Sequence, residues 1–313
     1  MMENTLGGFC RILLDDDPCP QALDPEQLAA RFVDYFGLSA RPTLEELTDL
    51  AERAGFGTVR EGQMDGLRGA HVGQPGGEYH IYHRDDLWEG SKAHTVLHEM
   101  YEITLERRDE IHWPGMPVPD GPNPVICQQA ERFAAAALMQ PDIFLPYARA
   151  SGLDVATLHE VFGCAYASAA LRLAEVVRSV PLMMVLYERE ERGDPAGWTA
   201  PAVLRARVVK RTTGFRPRRS RLLNGRRGGM PRKDQALPAG SLAERAAHSG
   251  RPEYAEADGV AAVARSVFWK GRLAKVIVVA VPWERRSFLE PQLGRRQWRP
   301  DARFNPRAVT AAP

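Results

Sequence analysis

The chain has 313 residues, 44% of them hydrophobic, with a formal net charge of +1. It can therefore bury a sizeable core, and length suggests about two domains. With no apolar run of ~18 residues, no basic-then-apolar leader and only four cysteines, none in C-x-x-C spacing, a membrane span, a secretory signal and a disulfide framework are all excluded. A cytoplasmic, soluble protein is expected. The small net charge hides a split: residues 1–200 hold 16 Lys+Arg against 32 Asp+Glu, and residues 201–313 hold 25 against 8. Such a split fits two modules with different tasks, or halves that attract each other.

Residues 1–23 show no sustained periodicity and are expected to form a flexible leader. Asp24 then caps a helix to about Gly37, with Pro25 at its first position and Leu28, Phe32, Val33 and Phe36 on one side. Thr43-Leu-Glu-Glu46 reads as a capping box, opening a second helix that ends at Gly55 and Gly57. Short alternating segments at 57–60, 69–72 and 78–83, separated by Gly-rich turns, read as a small antiparallel meander.

The stretch Ser91 to Glu106, SKAHTVLHEMYEITLE, organises the first half. Ser91 is a suitable N-cap, and His94, His98 and Glu102 follow at four-residue steps. On an α-helix each step turns the chain by ~400°, so the three side chains stack on one face. Imidazole and carboxylate there are zinc ligands, and a zinc hydrolase needs three of them plus a carboxylate base. Glu99 lies ~100° off the row, where a base touches water rather than metal. The motif is H-E-x-x-E, where a zincin has H-E-x-x-H.

A loop carrying five prolines follows from Ile111 to Pro124. Val125 to Met139 then forms an Ala-rich helix stopped by Pro141. It offers the third ligand: Glu131, a carboxylate set among Ala and Phe, or Cys127 one turn earlier. His94 is an accessory ligand candidate, with a solvent-facing first-turn histidine as the plain alternative. The other histidines, His71, His80, His83, His112, His159 and His248, are scattered and read as structural, although His80 and His83 stand near enough in sequence to approach the cleft.

Further helices are expected at 142–150, 154–162 and 165–178, the last two spaced like a helix-turn-helix. From Pro181 the composition turns to strand at 181–190 and 202–212. Residues 212–238, rich in Arg, Gly and Pro, are expected to be a mobile loop, and basic residues 205–233 a possible DNA contact. A helix at 240–249 and strands at 265–270 and 273–282 close the pattern, before a basic tail.

HTVLHEMYEITLE followed by AERFAAAALMQPDIF resembles the ImmA/IrrE family of metallopeptidases, whose second motif is matched by Ala130, Phe133, Ala134, Leu138, Met139 and Pro141. LHEVFGCAYASAALRL is similar to the segment that follows in such proteins, and the likeness spans residues 24–178. It implies Zn2+, with other divalent metals possible, held by His98 and by Glu102 in place of the second histidine. The family's glutamate ligand falls at Cys127 and its usual Asn at Glu131. Glu99 is then the catalytic residue, and the substrate a transcriptional repressor cleaved in a stress or mobile-element response. The resemblance extends to the radiation-response branch, with its helix-turn-helix and GAF-type domain.

The expected fold is therefore α+β. A zincin-like domain at 24–150 is followed by a helix-turn-helix-like segment at 151–180, a basic α/β GAF-like domain at 181–286 and a tail at 287–313. The alternative function is a catalytically degenerate regulator that binds DNA or a partner protein through the helical segment and the basic half.

Overall fold

The computed structural model describes residues 4–16, 24–74, 77–114, 123–190 and 203–293. The fold is α+β and divides into two compact units, Met1–Pro141 with Phe162–Cys164, and Asp142–Val161 with Ala165–Pro313. The division between the units falls after Pro141, close to the expected boundary at 150, and most of the helical pair belongs with the second unit.

The first unit opens with α1 (Leu6–Asp16), where a flexible leader was expected. Leu6, Phe9, Cys10 and Leu13 recur at helical spacing and are all buried, and α1 packs on the central helix α4 (Glu89–His112). α2 (Pro25–Phe36) begins as its sequence dictates: Asp24 accepts from the Glu26 N–H, and Gly37 closes it at φ +64°. α3 (Leu44–Ala54) is capped by Thr43, which accepts from Glu46 N at 3.2 Å. The Glu46 carboxylate does not return to Thr43 as a capping box requires; it binds the backbone N–H and hydroxyl of Ser39.

β1 (Thr58–Gly62), β2 (Gly69–Gly73) and β3 (Tyr79–Arg84) form a sheet in the order β1-β3-β2. β2 pairs with β3 antiparallel, but β1 pairs with β3 parallel, so the sheet is mixed rather than an antiparallel meander. The chain reverses between β1 and β2 and again between β2 and β3, so β3, placed between them, runs parallel to β1 and antiparallel to β2.

α4 starts two residues before Ser91, with Trp88 at the cap position and no side-chain cap bond, and it runs on to His112. α5 (Pro124–Leu138) is capped by Asn123, which accepts from Val125 N at 3.0 Å. Its Ala130, Ala134 and Ala137 are fully buried and let α5 approach its neighbours closely. An aromatic cluster fixes the arrangement: Phe133 of α5 lies 5.1 Å from Tyr101 of α4 and edge-on to Phe32 of α2 at 5.2 Å. Residues 115–122 of the Pro-rich stretch lie outside the described residues.

The second unit contains α6 (Pro141–Ala150) from Asp142 onward, most of α7 (Val155–Phe162), and α8 (Tyr166–Val176). Asp154 starts α7, accepting from Ala156 N and from the Thr157 hydroxyl, and pairs with Arg265. A five-stranded antiparallel sheet follows in the order β5-β4-β8-β7-β6. Its strands are β4 (Met183–Glu190), β5 (Val203–Arg211), β6 (Glu253–Ala257), β7 (Val260–Trp269) and β8 (Arg272–Pro282). The expected order of helix, two strands, helix and closing strands is present, with β6 added. β8 is buried on both faces, as its apolar run requires.

Residues 212–238 are not the loose loop expected. Asp234 N donates to Ala206 O at 2.7 Å and Leu237 N to Leu204 O at 2.8 Å, so 234–237 zips onto β5. Phe215 and Leu223, the latter in the single turn α9 (Arg221–Asn224), are buried in the sheet's core together with Leu242 and Ala246 of α10 (Leu242–Ser249). The chain past β8 makes a 3-10 segment and α11 (Glu290–Leu293). The remainder of the expected tail lies outside the described residues.

Candidate metal centre

α4 carries two different faces. Val96, Leu97, Met100 and Ile103 are fully buried in the core. The other face turns His94, His98, Glu102 and Glu106 toward β2 and α5, with Glu99 at the edge between the two. The sequence placed His98 and Glu102 one turn apart, and their donor atoms, His98 Nε2 and Glu102 Oε1, stand 3.3 Å apart. Two ligands each about 2.1 Å from a tetrahedral zinc are separated by about 3.4 Å, so this pair already has the spacing a cation requires.

Cys127 of α5 completes the group: one donor atom each from His98, Glu102 and Cys127 lie within 4.8 Å of one another. Nitrogen, oxygen and sulfur in this combination suit zinc. Glu131 stands further out. Its carboxylate is 52% exposed, 3.9 Å from His98 Nδ1 and 3.6 Å from His94 Nε2. It is not the buried carboxylate that its Ala-rich surroundings suggested, and Arg132 turns away to Asp24 at 3.6 Å. His94 faces Glu131 rather than Glu102.

His71, expected from its position to be structural, stands at the centre of the acidic side. Its Nδ1 is 2.7 Å from Glu99 Oε2 and its Nε2 is 3.0 Å from Glu106 Oε1. Strand alternation explains its direction. Gly69 and His71 share one face of β2, and that face meets α4 so closely that a Cβ on Gly69 would lie 2.2 Å from Thr95. A histidine flanked by glycines on a strand of this kind is the only trace in the sequence. His80 and His83, both on β3, do not join the site: His80 bonds Thr58 at 2.7 Å, and His83 is buried with its Nδ1 3.4 Å from Arg84 O. His159 stacks on Tyr166 in the second unit.

The protonation states follow from this crowding. Burial lowers the His71 pKa, but hydrogen bonds to Glu106 and Glu99 overcome it and raise the group to about 10, so it is an imidazolium at neutral pH. Burial acts on His98 in the same direction and is outweighed by Glu102, Glu99 and Glu131, which raise its pKa. Burial wins at His94 and pushes it down, against the pull of Glu131. The Cys127 thiol is pushed up by burial and by the surrounding carboxylates. A bare thiol in this setting keeps its proton, and a cation would displace it.

The basic stretch at 205–233 also spends part of its charge internally. Arg205 pairs with Glu190 at 2.7 Å, and Arg207 with Asp234 at 3.2 Å. No helix among the described residues is long and apolar enough to cross a membrane.

No protein-family model and no curated protein matches the chain. A solved structure described as a Mycobacterium tuberculosis transcriptional regulator is similar in fold, with a TM-score of 0.55 and 15% identity over 92% of this chain and 84% of that one.

Proposed function

We propose that the chain is a zinc-dependent endopeptidase of a regulatory system, related in mechanism to the ImmA/IrrE metallopeptidases that its helices resemble. The observation that carries this reading is the 3.3 Å spacing of His98 Nε2 and Glu102 Oε1, with Cys127 within 4.8 Å and Glu99 next in sequence. When bound, zinc supplies Lewis acidity that brings the pKa of water to about 7. Glu99, almost wholly buried, takes the proton from that water and delivers it to the leaving amine. β2 lies at an edge of its sheet beside α4, so an extended substrate segment can add to it as a further strand. A flexible segment of a repressor-type protein has the required form.

The test is elemental analysis of the purified protein together with cleavage of a mixed-sequence fluorogenic peptide library. Glu99→Gln is expected to keep the metal and lose cleavage. A protein that stays metal-free after zinc loading ends this reading.

A second reading draws support from the 2.7 Å bond that ties His71 to Glu99, the carboxylate a peptidase needs free. Here the chain is a catalytically silent regulator, and the helical pair with the basic second half engages DNA or a partner protein. The fold shared with a transcriptional regulator is compatible with it. Salt-dependent binding to duplex DNA that survives His98→Ala would favour this reading, and absence of binding at low salt would remove its DNA arm.

A further inference from the structure

The Glu102 carboxylate faces two groups of donors at once. Its Oε1 is 3.3 Å from His98 Nε2, and its Oε2 is 3.9 Å from His71 Nδ1. On the far side, His71, Glu99 and Glu102 each offer one donor atom, again all within 4.8 Å of one another. These three come from two elements, β2 and α4, and their side chains are 12%, 7% and 25% exposed, so they form a recess and not a solvated acidic surface. Glu106 accepts from the remaining nitrogen of His71 at 3.0 Å. That is how a carboxylate orients a ligating imidazole: a cation entering the recess would displace the Nδ1 proton now shared with Glu99, and Glu106 would hold the remaining proton on Nε2.

We propose that the chain binds a second divalent cation at His71, Glu99 and Glu102, with Glu102 bridging it to the cation at His98, Glu102 and Cys127. The proposal rests on the first cation assumed above. It also supplies a chemical reason for glutamate at position 102. An imidazole there offers one nitrogen to one cation, whereas a carboxylate offers two oxygens and serves both. The two donor sets differ in softness. Sulfur, nitrogen and oxygen around the first position favour zinc, and one nitrogen with carboxylates around the second accepts zinc, cobalt or manganese. On loading, the 2.7 Å contact between His71 and Glu99 opens and the 3.9 Å contact to Glu102 closes, toward the about 3.4 Å of a tetrahedral pair.

The second site has a functional consequence. A cation on one Glu99 oxygen withdraws charge from the other and makes it a weaker base for water, so filling the second site slows the peptidase. Activity rises with the first equivalent of metal and falls with the second, and metal availability sets the window between them.

The experiment is a titration of the metal-free full chain with Zn2+ and with Co2+, read by calorimetry and absorbance. Two equivalents are expected. The first cobalt ion gives the thiolate-to-cobalt charge-transfer band of Cys127, and the second adds none. His71→Asn is expected to reduce the count to one with that band retained. Glu106→Gln, a milder change, is expected to weaken only the second equivalent by about 10-fold or more. One equivalent in the unaltered chain, or two in a folded His71→Asn chain, overturns the second site and leaves the first standing. No binding at all removes the peptidase reading, and this proposal with it.

Discussion

β8 and α4 are the central elements of their units, and they use their faces differently. β8 is flanked by β4 and β7, and Val276 to Val281 are each at most 3% exposed, so both of its faces serve packing. α4 has a core face just as dry, but a rotation of about 100° along the same helix brings Glu99 and the acidic row into view. A strand covered on both sides has no surface left for chemistry. A helix covered on one side can stabilise the fold and present ligands from adjacent residues: Leu97 and Met100 hold the core on either side of His98 and Glu99.

If this contrast holds, damage to β8 should fall entirely on stability. Val278→Asp places an unpaired carboxylate where Val278 is 3% exposed within the sheet's core. It is expected to cost about 4 kcal/mol or more, measured as a collapse of the urea midpoint. A midpoint near that of the unaltered chain would mean that the sheet face is open to water. Phe133→Ala tests the corresponding joint in the first unit. Phe133 bridges Tyr101 and Phe32 and is fully buried, so its loss is expected to cost about 3–4 kcal/mol. Because α5 also carries Cys127, zinc affinity should fall in the same variant.

What could be read from the sequence divides along the same line. Caps and apolar stripes act locally, so Asp24, Pro25 and Gly37 fixed the limits of α2, and the valine run of β8 announced a fully buried strand. Where the decisive partner lay far along the chain, the reading failed. α1 has apolar residues at 6, 9, 10 and 13, but Gly7 and Gly8 weaken it as a helix, and its partner α4 lies some ninety residues on. β6, Glu-Tyr-Ala-Glu-Ala, is a polar edge strand with no apolar alternation to reveal it. Residues 234–237 are ordered by backbone bonds to β5, which leave no mark in side-chain periodicity. The candidate metal centre follows the same rule. His98, Glu99 and Glu102 are one helical pattern and were visible, Cys127 was one of two choices on a second helix, and His71 reaches its partners across 28 to 35 residues.

The polar face of α4 should show the converse of β8. Glu102→Gln removes one charge from a group that is 25% exposed without opening a cavity, so the metal-free protein is expected to change by only about 1 kcal/mol. Its zinc content should nevertheless fall below one equivalent. A large loss of stability would place Glu102 in the structure of the fold and not in its chemistry.

The mildest test compares cysteines and leaves the fold intact. Cys10 is fully buried and donates toward Thr104 O at 3.5 Å, and burial raises its pKa to about 12. At pH 8 it holds its proton, and no reagent reaches it without unfolding. Cys164 is equally buried. Cys127 has a raised pKa as well, but it lies partly open at the first turn of α5. In a Cys19→Ser background, iodoacetamide should therefore alkylate Cys127 slowly and leave Cys10 and Cys164 untouched until denaturant is added, as mass spectrometry would show. Zinc should then slow the labelling of Cys127, because a sulfur that shares a lone pair with a cation inside a closed donor set is a weaker and less accessible nucleophile. Manganese, which prefers oxygen and nitrogen, should protect far less. Labelling at the same rate with and without zinc would take Cys127 out of the ligand set and leave Glu131 as the third donor from α5.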